Sequence, residues 1–387
     1  MRVAIVTAFP EDPHRPRGGV EAVSTTLVDA LRVLPDVDLH VLTVRSSVQR
    51  ATTTDWRGVP ITVLPKTGRS TLTSAVGPER RAVQRWLREW SPDVVHAHDT
   101  FGIMVHGLDV PRVLTIHGFI HEDTRVSGQR FARARAVAWR FVETQTWAGF
   151  PHIIAISPYV RERLAGIARG VIHDLDNPIA ADCFSIARRE SPMLTVFSAA
   201  VISRRKNTLN LIEAVRLLRD QGMALQLRLA GATVEPRYRA AVDAAIAAHR
   251  LETVVEVLGP LNTMQIRNEL GAADLFALVS LEENSPLAIE EAMAAGVPVV
   301  TSNRCGMPYM VRDGITGWLV DPEDPAAIAD RLARVLQSAD LRHAMGESGR
   351  AVALERFHPD RVAARTLDVY RHAAASHHRS PRDARSA

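Results

Sequence analysis

Hydrophobic and polar positions alternate between two kinds of segment along most of the chain. Short continuous apolar runs, typical of buried parallel strands, are followed by longer segments whose apolar positions recur every three or four residues, as in amphipathic helices. The runs predicted as strands lie at residues 2–7, 37–44, 61–64, 92–98, 111–117, 152–157, 171–175, 194–202, 225–231, 254–259, 273–280 and 299–300. The predicted helices span residues 22–34, 79–90, 125–147, 157–164, 209–220, 238–249, 286–295, 325–337 and 357–375. This alternation predicts an α/β protein with doubly wound, Rossmann-like domains.

The alternation breaks down once, at residues 183–192, which we interpret as a linker. The predicted domains are therefore residues 1–182 and 193–356, and a chain of 387 residues is long enough for two cores. The last helix is expected at residues 357–375. The Ser-, His- and Arg-rich end, residues 376–387, is predicted to be disordered.

Composition narrows the class of protein only slightly. The hydrophobic fraction of 46% is ordinary for a globular protein, and a net charge of +4 gives no nucleic-acid-binding signal. The cysteines, Cys183 and Cys305, are too far apart to indicate a disulfide framework or a metal motif. The first apolar run is too short for a signal peptide, and no run of about 20 apolar residues exists. We therefore expect a cytoplasmic protein.

The predicted helix at residues 125–147 carries five arginines before its first acidic residue, Glu143. Such a helix could contact an anionic membrane surface at the inner face, or an anionic acceptor. A solvated basic face explains the same pattern.

The stretch from Leu281 to Val300 carries the most chemistry. It predicts a strand end, a tight loop, a short helix, a turn and another strand. Ser285 is predicted to cap the helix, with Pro286 in its first position and Gly296 just after its end. The N–H groups at about 286–288 can hold a phosphate.

Two carboxylates flank that predicted phosphate site. Glu283 lies in the loop before the helix, and Glu291 lies about two turns into it. A carboxylate can accept hydrogen bonds from two hydroxyls of a sugar or ribose. The spacing therefore suits a ligand that has phosphate in the middle and polyols at both ends.

Further candidates lie at the ends of other predicted strands. Gly18 and Gly19 precede the first long helix, where glycine would let the backbone approach a phosphate, although a simple turn is an equal alternative. This loop is not G-x-G-x-x-G, which argues against a dinucleotide site. Lys206 follows the strand at 194–202 and could neutralise a diphosphate leaving group.

Two strands end in histidine, at His98 and His117, and parallel strands bring such ends to one edge of a sheet. Each could equally be a histidine satisfied by local backbone groups. A zinc site is not indicated, because no further clustered Cys, His or carboxylate completes it.

The pattern E-x-S-P-x-A-x-x-E-A-M-A-A-G-x-P-V-V, which begins at Glu283, resembles the E-x7-E signature of retaining GT-B glycosyltransferases of the group 1, or family 4, type. The resemblance extends over nearly the whole chain and is most specific at residues 194–322. It includes D-V-V-H-x-H, T-x-H-G and K-x-x-x-x-L-I-E-A.

The resemblance implies two domains that face a cleft, with the C-terminal helix crossing back to the first, acceptor-binding domain. Lys206 matches the family's diphosphate lysine, and His117 matches the histidine near the transferred sugar. The expected substrate-binding residues are Gly18, Gly19, His98, Arg204, Arg205, Gly259, Leu261, Asn284, Ser285, Pro286, Leu287 and Glu291. Glu291 would hold the ribose, Glu283 the sugar, and the loop after residue 259 the nucleobase.

Three positions depart from the family pattern. Val201 stands where the family usually has an arginine, so Arg204 or Arg205 would have to supply that charge. Cys305 replaces a glycine and Tyr309 replaces a glutamate near the expected donor pocket. Donor preference could therefore differ from that of better-known members.

The predicted function is metal-independent transfer of a hexose-type sugar, with retention, from a UDP- or GDP-sugar to a hydroxyl acceptor, which could be a glycan, a lipid-linked sugar or a small molecule. No cofactor, metal or nucleic acid is expected. A sugar-nucleotide 2-epimerase of the same fold, or a non-catalytic partner that binds nucleotide-sugars, remains an alternative.

Overall fold

The computed structural model describes residues 1–68, 70–126, 131–189 and 191–378. Arg130 of the predicted basic helix and residues 379–387 of the predicted tail lie outside this range. The strands are β1 (Arg2–Val6), β2 (Asp38–Arg45), β3 (Thr52–Trp56), β4 (Val59–Pro65), β5 (Val94–His98), β6 (Arg112–Ile116), β7 (His152–Ala155), β8 (Val171–Asp174), β9 (Leu194–Ala199), β10 (Leu225–Ala230), β11 (Val255–Gly259), β12 (Leu275–Leu278), β13 (Val299–Ser302) and β14 (Gly317–Val320).

The helices are α1 (Gly19–Leu31), α2 (Thr71–Val76), α3 (Pro78–Trp90), α4 (Phe101–Val105), α5 (Ile120–Val126), α6 (Ala132–Ala148), α7 (Pro158–Leu164), α8 (Thr208–Asp220), α9 (Pro236–Ala248), α10 (Thr263–Ala272), α11 (Leu287–Ala294), α12 (Pro325–Leu336), α13 (Ala339–Arg356) and α14 (Pro359–His378). The chain divides into two compact units. Unit 1 contains Met1–Pro178 and the segment from Pro359 onward, and unit 2 contains Ile179–His358.

The sheet of unit 1 has the strand order β3-β4-β2-β1-β5-β6-β7-β8. Neighbouring strands are parallel except β3, which pairs antiparallel with β4 at the edge. Chain order reverses between β1 and β5, and ligands of doubly wound sheets bind beyond the carboxyl ends at such a point. Sequence analysis missed β3, because its residues, Thr52–Trp56, are mostly exposed and polar.

Helix α14 belongs to the core of unit 1. Its Tyr370 is fully buried among apolar residues of β1 and α1, and its hydroxyl lies 2.7 Å from Nδ1 of His96. The helix continues to His378, so residues 376–378 are helical and the prediction of a disordered tail is wrong for them.

The prediction of one basic helix at residues 125–147 is also wrong in its extent. The described part contains the end of α5 and a separate α6 that starts at Ala132. Glu143 of α6 accepts hydrogen bonds from the backbone N–H groups of Ile120 and His121, at 2.9 and 3.1 Å. This buried carboxylate therefore holds the start of α5 against α6.

The sheet of unit 2 has the order β11-β10-β9-β12-β13-β14, and its neighbouring strands are all parallel. Chain order reverses between β9 and β12. Sequence analysis missed α13, whose pattern contains two glycines, which are poor helix formers. Gly346 is required there, because a Cβ at this position would lie 2.2 Å from the carbonyl oxygen of Gly296.

The predicted linker at 183–192 is in large part packed onto unit 2. Cys183 and Phe184 are buried in its core, and Arg188 donates to the carbonyl oxygen of Leu270 at 2.6 Å. Unit 2 begins at Ile179, a few residues before the predicted boundary.

Across the residues that the structure describes, no helix combines the length and the apolar character needed to cross a membrane.

Candidate active site

The main cluster of predicted site residues in unit 2 lies in the loops that follow β9 and β12. These strands are neighbours at the point where chain order reverses, so the loops that follow them flank the crevice in which doubly wound folds bind ligands. The first loop contains a short 3-10 helix, Arg204–Lys206, and the second leads into α11. The backbone N–H of Leu281 donates to the carbonyl oxygen of Arg205 at 2.8 Å, which joins the two loops directly.

Asn207 fixes the first loop, and sequence analysis missed it. Its backbone is left-handed, with φ of 59°, a conformation that asparagine tolerates better than most residues. The buried side-chain amide donates to the carbonyl oxygens of Val279 and Pro322, at 3.1 and 2.6 Å. An asparagine directly after a basic triplet, between a strand and a helix, was the available signal.

Lys206 and Arg205 converge on one carboxylate, that of Glu283. Nζ of Lys206 donates to Oε1 of Glu283, and Nη1 of Arg205 lies 3.1 Å from the same oxygen. The side chains of Lys206 and Glu283 are only 13% and 11% exposed. The structure therefore brings together two of the three predicted catalytic residues, with Arg205 beside them.

Arg204 lies apart from this group. Its guanidinium is exposed and stacks over the ring of Tyr238, with its central carbon 5.9 Å from the ring centroid. Of the two arginines proposed to replace the charge absent at Val201, only Arg205 contacts Glu283.

Helix α11 begins one residue later than predicted, and Ser285 does not cap it. Pro286 is the residue before the helix, and the hydroxyl of Ser285 instead donates to Oε1 of the buried Glu290 at 2.8 Å. The first N–H groups of the helix, at Leu287 and Ala288, have no acceptor within the helix itself, which is the usual basis of anion binding. Gly296 has φ of 70°, which confirms the left-handed turn after the helix.

The loop that contains Glu283 and Asn284 is pressed against residues 305–306. The N–H of Gly306 donates to the carbonyl oxygen of Glu283 at 2.8 Å, and a Cβ on Gly306 would lie 1.7 Å from the carbonyl oxygen of Asn284. Cys305 is left-handed, with φ of 54°, a conformation that favours glycine. This strain accounts for the glycine in the family pattern at that position. Tyr309, the other altered residue, is 38% exposed.

Glu291 lies on α11, and the pKa of its carboxyl is shifted away from the ordinary value. The residue is half-buried. Burial raises the pKa of Glu291 to about 7, against the opposing effect of Arg267. Nη1 of Arg267 already binds Oδ2 of Asp182 at 2.6 Å. Glu291 is therefore near half protonation at neutral pH.

Gly259 and Leu261 lie at the carboxyl end of the edge strand β11. Gly259 is left-handed, with φ of 73°, and Leu261 packs against the core of unit 2. Asn262 then caps α10 in a reciprocal arrangement with Gln265.

In unit 1, chain order reverses between β1 and β5. Asp99 follows β5 and binds backbone groups at this edge of the sheet. Oδ1 of Asp99 accepts hydrogen bonds from the N–H groups of His117 and Gly118, at 2.7 and 3.3 Å. Burial raises the pKa of Asp99, although these donors and the His117 ring oppose that shift. Sequence analysis missed Asp99, despite its position just after the His98 strand end.

His117 is half-buried. Burial lowers its pKa, against the effects of Asp99 and the Asn177 side chain, and so favours the neutral ring. His98 is only 1% exposed, and its Nδ1 lies 3.3 Å from Nε2 of His117 and 3.4 Å from the hydroxyl of Ser24. His98 therefore lies where it can position the His117 ring, and its predicted contact with a substrate stays a prediction.

Gly18 and Gly19 lie where α1 begins. Gly18 precedes the helix in an extended conformation, and a Cβ added to it would meet no atom within 4 Å. Packing in the described part of the chain therefore does not explain this glycine.

Two parallel α/β units with Rossmann-like topology define the GT-B class of fold. Two family models match the chain in succession: "Glycosyltransferase Family 4" at residues 17–181 and "Glycosyl transferases group 1" at residues 184–352. The chain therefore belongs to the glycosyltransferases of the group 1, or family 4, type.

Curated relatives match either part or all of the chain. The amylovoran biosynthesis glycosyltransferase AmsK of Erwinia amylovora is 34% identical over 150 residues, which are 37% of this chain and 36% of AmsK. The chain thus aligns with only about a third of the length of such relatives. Alpha-maltose-1-phosphate synthase of Mycobacterium tuberculosis H37Rv is 28% identical, with 97% of this chain and 100% of the relative covered.

Solved structures show the same fold. A sucrose-phosphate synthase from Thermosynechococcus elongatus superimposes with a TM-score of 0.81 at 18% identity, covering 97% of this chain and 99% of the other. HepE from Anabaena, in complex with UDP-glucose, gives 0.70 at 19% identity, with coverage of 95% and 99%.

Proposed function

We propose that the protein transfers a hexose-type sugar from a nucleoside-diphosphate sugar to a hydroxyl acceptor, with retention of anomeric configuration and without a metal ion. The observation that carries this proposal is the convergence of Lys206 and Arg205 on Glu283, at the reversal point of unit 2 and beside the start of α11. Family membership supports it.

The charge arrangement suits a diphosphate that leaves during reaction. In the structure, the single carboxylate of Glu283 is ion-paired with both cations and neutralises only one of their two charges. An incoming diphosphate can take over Lys206, while Arg205 continues to compensate Glu283. The N-terminus of α11 adds partial positive charge. These groups stabilise negative charge that builds on the leaving diphosphate, so the reaction requires neither a metal nor a fixed nucleophile.

In unit 2, Glu291 is assigned to the donor ribose and Glu283 to the transferred sugar. A carboxylate accepts hydrogen bonds from two vicinal hydroxyls, which explains the need for an acidic residue within α11. The structural neighbour in complex with UDP-glucose supports a UDP-sugar donor, and a GDP-sugar fits the same chemistry.

The acceptor is assigned to unit 1, which contains a pocket of about 600 Å³ between α5, α6 and α7. Its lining combines aromatic residues with cations, among them Phe119, Trp147, Arg133, Arg140 and Arg163. The lining also contains Glu122, which pairs with Arg163, and Glu162. The remaining excess of arginine favours an anionic hydroxyl acceptor, either free or lipid-linked.

The surface of α6 supports a membrane-associated acceptor. Phe131, Val137 and Phe141 are 67%, 71% and 65% exposed, and arginines accompany them along the helix. Exposed aromatic and aliphatic side chains beside cations suit peripheral contact with an anionic membrane at the cytoplasmic face.

The test is product analysis by NMR after incubation with α-linked UDP- and GDP-sugars, a panel of hydroxyl acceptors and excess EDTA. We expect release of the nucleoside diphosphate and a product that retains the α configuration. An epimerised sugar nucleotide in the absence of acceptor would instead indicate a 2-epimerase, and donor binding without turnover a non-catalytic partner.

In the same assay, Arg140→Glu should slow acceptor-dependent transfer by about tenfold, the effect of one charged hydrogen bond, and leave donor hydrolysis unchanged.

A further inference from the structure

Three histidines distant in sequence come together in unit 1. His152 lies at the start of β7, His173 lies on the neighbouring strand β8, and His372 lies on α14. One ring nitrogen from each residue can be chosen such that all three lie within 4.8 Å of one another. None of these residues belongs to the site that we assign to sugar transfer.

The ring geometry suits a shared ion. Nδ1 of His152 lies 3.1 Å from Nε2 of His173. A tetrahedral zinc ion with bonds of about 2.0–2.1 Å places its ligand nitrogens about 3.3 Å apart. The first two nitrogens are thus almost at the required spacing, and the nitrogen of His372, within 4.8 Å of both, must move closer to bind the same ion. The rings of His152 and His372 already lie with centroids 5.1 Å apart.

Ser376 orients the innermost histidine. Its hydroxyl lies 2.7 Å from Nε2 of His152, and it can donate its single proton to the carbonyl oxygen of His372 at 2.9 Å. The hydroxyl then accepts from His152, so the proton of this ring resides on Nε2 and the lone pair on Nδ1 faces the cluster. Metal-binding histidines are typically held in this way through the nitrogen that does not bind the ion.

The cluster is also accessible. His152 is buried, His173 is half-buried and His372 is exposed, so the three rings form a path from the interior to solvent. A metal can enter from the α14 side, and water can occupy a fourth position.

We propose that His152, His173 and His372 form a binding site for a divalent first-row transition metal, Zn²⁺ in particular. Three neutral imidazoles suit Zn²⁺, Cu²⁺ and Ni²⁺ and do not suit Mg²⁺ or Ca²⁺, which prefer oxygen ligands. The bound ion joins the last turns of α14 to β7 and β8. Its role is to fix the C-terminal helix, and it takes no part in sugar transfer.

The test is titration of the chelator-treated full chain with Zn²⁺ in competition with a chromophoric chelator. We expect one equivalent per chain. His372→Ala, at an exposed position that the fold tolerates, should weaken binding by at least about 100-fold, and Ser376→Ala by about tenfold, as for a lost supporting hydrogen bond. His173→Gln provides a second variant, and circular dichroism checks the fold of each.

His377→Ala is the matched control, because it removes a neighbouring histidine outside the cluster. It should change affinity less than threefold. Added Zn²⁺ should also slow hydrogen exchange of residues 371–376 in the wild type and not in His372→Ala. The proposal is overturned if the wild type binds no stoichiometric Zn²⁺, or if His377→Ala weakens binding as much as His372→Ala, which would indicate adventitious chelation by the C-terminal histidines.

Discussion

Lys206→Ala should slow release of the nucleoside diphosphate from bound donor by about 10²–10³-fold, the usual cost of removing one group that stabilises charge in a transition state. Lys206 is the cation most enclosed with Glu283, and its ammonium group can reach a leaving diphosphate from there. Single-turnover release of nucleoside diphosphate measures the effect. Water can serve as the acceptor, so the natural acceptor need not be known.

Neighbouring cations give a graded comparison. Arg205→Ala should slow release by about tenfold, because this arginine contacts Glu283, whereas Arg204→Ala should change it by less than about threefold, because its guanidinium faces Tyr238. Arg237→Ala removes an exposed arginine of α9 and is the control for net charge. Wild-type release by Lys206→Ala would contradict the role assigned to this lysine.

Glu291→Ala should weaken donor binding by about 10–100-fold, because hydrogen bonds to a charged group contribute about 1.5–3 kcal/mol. Calorimetric titration with the donor measures this. Donor affinity of the wild type should rise from pH 6 to pH 8, as a carboxyl whose pKa is about 7 ionises and becomes a better acceptor for the ribose hydroxyls. Glu291→Gln should remove that dependence, and a slope that persists in this variant would assign it to another group.

The same group predicts a stability effect of known sign. Because the folded chain raises the pKa of Glu291 above its ordinary value of 4.5, the folded state binds its proton more tightly than the unfolded state. Stability should therefore fall as pH rises from about 4.5 through 7. Glu291→Gln should be more stable than the wild type at pH 8, by about 1–3 kcal/mol, and nearly equal to it at pH 4.5.

Most of the parallel strands could be predicted from sequence, because buried strands are continuously apolar. Strand β3 could not, since an edge strand with exposed threonines lacks that signal. Helix α13 was concealed by its two glycines, of which Gly346 is required by close packing against Gly296. The start of α11 was misplaced because Ser285 can satisfy either a helix end or the buried Glu290, and only the folded chain shows which one it satisfies.

Residues of the candidate site could be predicted from the sequence where they are close together and belong to a motif, as do Glu283 and Glu291. Asp99 and Asn207 were missed because their importance lies in the backbone groups that they bind. The assignment of charge near Val201 to Arg205 rather than Arg204 needed side-chain directions. The three-histidine cluster could not be predicted from the sequence, because β7, β8 and α14 contribute one histidine each and meet only in the folded chain.

Unit 2 should bind a nucleoside-diphosphate sugar between Lys206 and Glu291 without a metal ion. A thermal-shift panel of UDP-, GDP-, ADP- and dTDP-sugars in EDTA tests it most directly. At about 100 times Kd, binding adds about 2.7 kcal/mol, so one nucleotide class should raise Tm by about 2–5 °C in the wild type, and at the same ligand concentration the shift should fall to about half or less in Glu291→Ala. A panel in which no nucleotide-sugar raises Tm, or in which Glu291→Ala responds as the wild type does, would contradict the claim.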